Sequence, residues 1–267
     1  MESFKKILAL CISVLLTSST LVIKAQNLKT WEVCELTLKS SLVFQNPYTE
    51  GIKPGEKALV TAIFTGTGGP CSGTKMTIPG FWDGAEIWKI RFAPPLEGAW
   101  NYETVSADRK MNGKEVRIIV EGWTDEEESA NPVRHGLITV NSSDIREGRC
   151  FTYSDGTPFL WIADTWWDWT NRNIQFNTFK KLADTRAEQG YSIGQLFFAG
   201  NGWGSESSLL DPSFQNPKLE QIRKVEKMIE YANSKGITVW IHPWWSRDGI
   251  NKSIGEENIM RWWLGET

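Results

Sequence analysis

Three polar residues in the second half of the chain stand beside tryptophans in similar ways. Asp164 opens Asp164-Thr165-Trp166-Trp167-Asp168-Trp169, Asn201 precedes Gly202-Trp203, and His242 precedes Pro243-Trp244-Trp245. A carboxylate, an amide and an imidazole all hydrogen-bond hydroxyl groups, and an indole offers a flat apolar face with one polar edge. Sugars present both kinds of surface, so this pairing predicts recognition of a polyhydroxylated ligand. The candidate contacts are Asp164, Trp166, Trp167, Asp168, Asn201, Trp203, His242, Trp244 and Trp245. Each residue also has an ordinary role in a fold. Asp164 can cap the amides that follow it, His242 can be hydrogen-bonded in the interior, and the tryptophans can pack beneath helices.

Other chemistries find no support. Gly-x-Ser-x-Gly and His-Glu-x-x-His are absent, and the Gly66 to Lys75 stretch ends Gly-Thr-Lys where a phosphate loop needs Gly-Lys-Ser/Thr. That stretch reads as a loop between strands. No Cys-x-x-Cys occurs, and His135 and His242 are far in sequence from each other and from every cysteine, so no metal and no cofactor is expected. Four adjacent carboxylates, Asp125 to Glu128, read as a solvated run without fixed geometry.

The elements that position these residues change character along the chain. From Trp31 to Trp123, short segments alternate apolar and polar residues: Val33 to Leu42, Lys57 to Phe64, Glu86 to Phe92, Gly98 to Thr104 and Glu115 to Glu121. Pro- and Gly-rich turns separate them, which predicts an all-β sandwich. Residues 124–132 are acidic, polar and end in proline, and are expected to be a linker. Beyond them, Pro158 to Asp164, Ile193 to Ala199 and Ile237 to His242 are mostly apolar runs, as in strands covered on both faces. Between them lie two helical patterns. One runs from Phe176 to Ala187 and stops at Gly190; the other is capped by Asn216 with Pro217 in its first turn and ends before Gly236. This β-α-β-α-β order predicts a parallel sheet whose ligand contacts lie where the strands end.

Composition bounds the function classes. The chain has 267 residues, 15 Trp against 2 His, and a formal charge of -3. That charge becomes -5 without the first 26 residues, which hold Lys5, Lys6, Lys24 and Glu2. No basic surplus exists for a nucleic-acid partner. Lys5-Lys6, the apolar run Ile7 to Leu16 and a small polar stretch ending near Gln26 read as a signal peptide. Export to the periplasm or beyond is expected, with no membrane span, and bulky Leu10 before Cys11 argues against a lipid anchor. Cys34, Cys71 and Cys150 then remain, allowing one disulfide at most.

The run from Arg149 through Phe151-Thr152-Tyr153-Ser154-Asp155-Gly156-Thr157-Pro158-Phe159 to Asp164-Thr165-Trp166-Trp167 resembles the opening of the apiosidase-like glycoside hydrolase barrels. Upstream, Phe64-Thr65-Gly66, Pro79-Gly80-Phe81-Trp82-Asp83-Gly84, Trp88 to Pro94 and Glu97 to Trp100 resemble the sandwich domain of unknown function that often precedes them. The resemblance implies a multidomain β plus α/β protein: a signal peptide at 1–26, an immunoglobulin-like β-sandwich at 27–123, a linker at 124–132, and the first part of a (β/α)8 TIM barrel at 133–267. It implies an exported, carbohydrate-binding hydrolase of plant or complex polysaccharides. Tyr191 to Gln195 follows the family's second strand only loosely.

A complete barrel takes about 250 residues, which the stretch after Ser129 does not supply. Another helix is expected over Glu256 to Leu264. The resemblance puts the acid/base and its partner carboxylate on later strands, past Thr267, so the expectation is a truncated domain inactive by itself. Asp164 and Asp168 are the carboxylates at hand, and both leave one loop, which suits ligand holding better than flanking a scissile bond. A non-catalytic glycan-binding module and an adhesive or structural surface protein are the alternative readings.

Overall fold

The computed structural model describes residues 27–47, 60–140, 150–199, 209 and 217–244. Most of its regular structure is β, with few helices. The described residues form two compact units that divide between Gly122 and Trp123.

The first unit holds strands β1 (Asn27–Lys29), β2 (Cys34–Phe44), β3 (Thr61–Gly68), β4 (Lys75–Pro79), β5 (Phe81–Trp82), β6 (Ala85–Phe92), β7 (Gly98–Val105) and β8 (Glu115–Glu121). They make a five-stranded sheet, β1-β8-β7-β3-β4, and a three-stranded one, β2-β6-β5. Every second residue of β3 and β6 points inward, so Ala62, Phe64, Trp88, Ile90 and Phe92 are buried. Phe64 of one sheet stacks on Phe92 of the other at 3.8 Å between centroids, and Trp100 meets Phe92 edge-on. The two sheets therefore face each other across one aromatic core. The glycine-rich stretch is the tip of the β3–β4 hairpin. Beside it, Gly98 has φ +126°, and a Cβ there would stand 2.2 Å from the Gly68 carbonyl oxygen, so only glycine fits. β1, β4 and β5 are too short or too polar to stand out in sequence. Cys34, Cys71 and Cys150 are free thiols.

The second unit opens with α1 (Asp125–Ala130), followed by a 3-10 turn, Pro132–His135. Residues 124–132, where a solvated linker is expected, hold helical structure, and the reason is local. Thr124 Oγ1 accepts from Glu127 N while the Glu127 carboxylate accepts from Thr124 N, a capping box spelled by Thr-x-x-Glu. Asn131 then caps the 3-10 turn through Val133 N and donates from Nδ2 to Asn233 O.

Next come β9 (Ile138–Val140), β10 (Phe151–Tyr153), β11 (Pro158–Phe159) and β12 (Ala163–Trp166), then a 3-10 turn over Trp167–Thr170. α2 (Phe176–Glu188), β13 (Ile193–Ala199), α3 (Leu219–Ser234) and β14 (Thr238–Trp244) complete the described chain. β12, β13 and β14 form a parallel sheet in that order. Phe179 and Ala183 of α2 and Val225, Met228 and Ala232 of α3 cover one face of it, packing on Trp166 and Leu196.

Two boundaries differ from expectation. The apolar run Pro158 to Asp164 is not one strand: Pro158 and Phe159 pair antiparallel with β10, and the parallel strand starts at Ala163. An apolar run cannot reveal which partner each half will take. α3 begins at Leu219 rather than at Pro217, and Asn216 lies outside the described residues, as does the helix expected over 256–264. Among the described residues no helix is long and apolar enough to cross a membrane.

Candidate functional site

The parallel sheet has two faces, and its register assigns the candidates between them. Asp164 pairs with Gly194, which pairs with Val239, while His242 pairs with Phe197. Asp164 therefore lies three residue rows before His242, about 10 Å along the strands at 3.3 Å per residue. It is the second residue of β12, at the end where the parallel strands begin. Expected convergence of Asp164 with His242 at one rim does not occur, because the strand boundary moved toward the C-terminus.

The side chain of Asp164 is also committed elsewhere. Its Oδ2 accepts from Arg186 Nε of α2 and from Trp166 Nε1 at 3.1 Å, and its Oδ1 accepts from Thr165 N at 2.9 Å. Burial works against the charge, but the bonds from Arg186 and Trp166 outweigh it and hold the carboxyl below the usual carboxylate range. Trp166 is fully buried against Phe179, at 5.6 Å and perpendicular. Asp164 and Trp166 are thus bonded into the layer between sheet and helices.

Trp167 and Asp168 occupy the 3-10 turn directly after β12, at the carboxyl end of the strand. α3 pins this turn: Gln221 Nε2 donates to Thr170 O at 2.5 Å, and Lys224 Nζ donates to Asn171 O and Arg172 O at 3.2 and 2.9 Å. Asp168 is exposed and Trp167 half-buried. Asn201, Trp203 and Trp245 lie outside the described residues, and of Trp244 the backbone alone is described, as the last residue of β14.

The opposite face carries His242 with an aromatic row that the sequence reading missed. Trp240 and His242 are two apart in β14, and their rings lie 4.8 Å apart at 39°. Trp161 meets Trp240 edge-on at 5.6 Å, and Phe151 lies 5.0 Å from Trp161. Trp161 and Trp240 are 39% and 43% exposed, a large apolar surface for a parallel sheet, which is ordinarily covered on both sides. Gln195 is in register with Trp240 and Thr165, so two polar side chains share the face. Reading Ile237 to His242 with a period of two would have paired Trp240 with His242. One group among the described residues has the spacing of metal ligands, Glu128, His135 and Asp155. Sequence distance between histidines and cysteines gave no hint of it, because two of the three donors are carboxylates.

Residues 27–107 match the domain of unknown function DUF5060, and residues 145–263 match the model described as apiosidase-like, catalytic domain. The segment that matches DUF5060 thus precedes the segment that matches the apiosidase-like model. Among solved structures, a candidate glycoside hydrolase from Bacteroides vulgatus ATCC 8482 aligns with a TM-score of 0.61 and 23% identity. That alignment covers 81% of this chain and 41% of the other, so the chain spans about two-fifths of the neighbour's length. A glycoside hydrolase family 5 structure from the same organism aligns at a TM-score of 0.39 and 22% identity, over 48% of this chain and 29% of its own. No curated protein matches. The segment that matches the apiosidase-like model spans β10 to β14, and so includes both faces of the parallel sheet.

Proposed function

We propose that this chain serves glycoside hydrolysis as an exported, carbohydrate-binding protein acting on plant or complex polysaccharides. In this reading its second unit, from about residue 133, is the first part of a (β/α)8 barrel, and the unit before residue 124 is an immunoglobulin-like sandwich. The carrying observation is the parallel β12-β13-β14 sheet, with both crossover helices on one face, inside the segment that matches the apiosidase-like catalytic domain. In such a barrel the face turned away from the helices is the interior, and ligands bind at the carboxyl ends of the strands.

The ligand contacts proposed are Trp167 and Asp168 after β12 and His242 and Trp244 at the end of β14, with Trp240 beneath His242. Asn201, Trp203 and Trp245, beyond the ends of β13 and β14, stay in the set on sequence grounds. Asp164 is better suited to holding α2 than to acid/base chemistry, since Arg186 keeps it charged and occupied. No general acid is therefore assigned from the described residues, and the role argued for this chain is holding the glycan. The amino-terminal charged and apolar residues 1–26 support export.

A glycan array with the full chain, followed by calorimetry and a reducing-sugar assay on the glycans bound, tests the reading. Binding of a plant glycan that His242→Ala weakens about tenfold, the loss of roughly one hydrogen bond to a ring, supports it. Binding to no glycan would overturn it. Binding without hydrolysis is the expected result, since no general acid is assigned; hydrolysis by this chain would show that the acid was missed.

A further inference from the structure

The run Asp125 to Glu128 lacks fixed geometry only while it is thought unfolded, and in the structure it is the first turn of a capped helix. Glu128 there faces two residues from other elements. His135 ends the 3-10 turn, and Asp155 lies in the turn between β10 and β11. One donor atom from each falls within 4.8 Å of the others. His135 Nδ1 stands 2.6 Å from Asp155 Oδ2 and 3.9 Å from Glu128 Oε2. The imidazole is 15% exposed, whereas the carboxylates are 30% and 38% exposed, so the ring is the floor of the group and the acids its open side.

We propose that Glu128, His135 and Asp155 bind a first-row divalent metal ion, using one imidazole nitrogen and two carboxylate oxygens, with water in the remaining positions. This donor set suits zinc and its neighbours better than calcium or magnesium, which take oxygen alone. Two carboxylates and a neutral imidazole also balance the charge of a divalent ion. Each ligand is held by something outside the group. Glu128 N donates to Thr124 O in the capped turn, and Asn131 ties the segment before His135 to Asn233. Thr157 N donates to Asp155 Oδ1 at 2.9 Å, leaving Oδ2 turned to the ring. Such outer contacts orient ligands before a metal arrives.

In the metal-free protein, Nδ1 and Oδ2 stand within hydrogen-bonding distance, 2.6 Å apart. An ion at Nδ1 takes the place of that contact, the neutral ring carrying its proton on Nε2, and the two atoms part to about 3 Å so that each reaches roughly 2.1 Å from the metal. Thr157 Oγ1, 3.3 Å from Nδ1, lies close enough to bond a metal-bound water. The ion would cross-link α1 and the 3-10 turn to the β10–β11 turn.

The test is calorimetric titration of the full chain with zinc chloride, repeated with Glu128→Gln, Asp155→Asn and Cys150→Ser. One saturable site is expected, with a melting temperature raised by zinc. Loss of a ligand should weaken binding at least as much as loss of an outer-shell partner, about 10 to 100-fold, in both carboxylate variants, while Cys150→Ser leaves it unchanged. Glu128→Gln is decisive should Asp155→Asn fail to fold, because it leaves the His135–Asp155 bond in place. Cobalt(II) supplies a second readout, giving visible bands without the thiolate charge-transfer absorption. Absence of saturable binding, or zinc affinity unaltered in Glu128→Gln, would show that the three residues form an ion pair only.

Discussion

Trp166 Nε1 and Arg186 Nε donate to the same oxygen, Oδ2 of Asp164, so a carboxylate at the start of β12 ties a buried indole to the α2 helix. Removing it strands the indole N–H in a core where Trp166 has no exposure. Asp164→Ala is expected to cost about 1 to 3 kcal/mol, the usual penalty for a buried donor left unpaired, read as a lower urea midpoint. Glycan affinity should stay as in the parent. A weakened glycan with an unchanged midpoint would return Asp164 to the ligand contacts.

Gly194 sits beneath the same indole. A Cβ at this position would come 2.2 Å from Trp166 Cζ3 and 2.3 Å from Cε3. Gly194→Ala therefore forces the ring or the β13 backbone to move, at about 1 to 3 kcal/mol for overpacking a filled core. Near-ultraviolet circular dichroism should change along with the midpoint. A parent-like melt would mean that the indole has room that its packing against Phe179 does not suggest.

Acid should loosen the first unit through Asp108. Burial raises the pKa of this carboxyl, but Ser40 Oγ at 2.7 Å, the Ser41 amide and the Lys110 amide all donate to it and leave it below its ordinary 3.8. A folded pKa below the unfolded one means that the unfolded chain binds the proton first. Asp108 thus adds stability above about 3.8, the ordinary value, and that stability is lost as the pH falls through the lower, folded pKa. Urea midpoints from pH 7 to pH 2 should decline less steeply in Asp108→Asn than in the parent, from a lower starting value. Parallel declines would refute the assignment.

Thiol chemistry separates two cysteines of the first unit. Burial, and then the neighbouring Glu35 charge, push Cys34 up to about 11, while Cys71 is fully buried with its Sγ against the Gly68 and Ala99 carbonyls. At pH 8 a thiol of that pKa is about one part in a thousand thiolate, the reactive form. Alkylation at pH 8 with peptide mapping should leave Cys34 and Cys71 unmodified in the folded protein and modify both in urea. Rapid native modification of Cys34 would contradict its raised pKa.

The sequence by itself determined the sheets and the helices wherever a local period decides them. Alternation in Ala58 to Phe64 and in Ile87 to Phe92 announces strands with one buried face, and the structure buries Phe64, Trp88 and Phe92 accordingly. The spacing of Phe179, Leu182 and Ala183, with a glycine at 190, announces α2, and these residues do face the core. Thr124-x-x-Glu127 was equally legible as a cap, though the acidic run around it drew attention to charge. Only tertiary structure decided which partner each apolar run takes. Residues 158 to 164 look uniform in sequence, yet hydrogen bonding to β10 claims Pro158 and Phe159, and pairing with β13 claims Ala163 onward. With the strand at Ala163–Trp166 instead of Pro158 to Asp164, Asp164 moves from the end of a strand to near its beginning. The grouping of Glu128, His135 and Asp155 was likewise invisible, because hydrogen bonds among separate turns set it and sequence periodicity carries no record of distance through space.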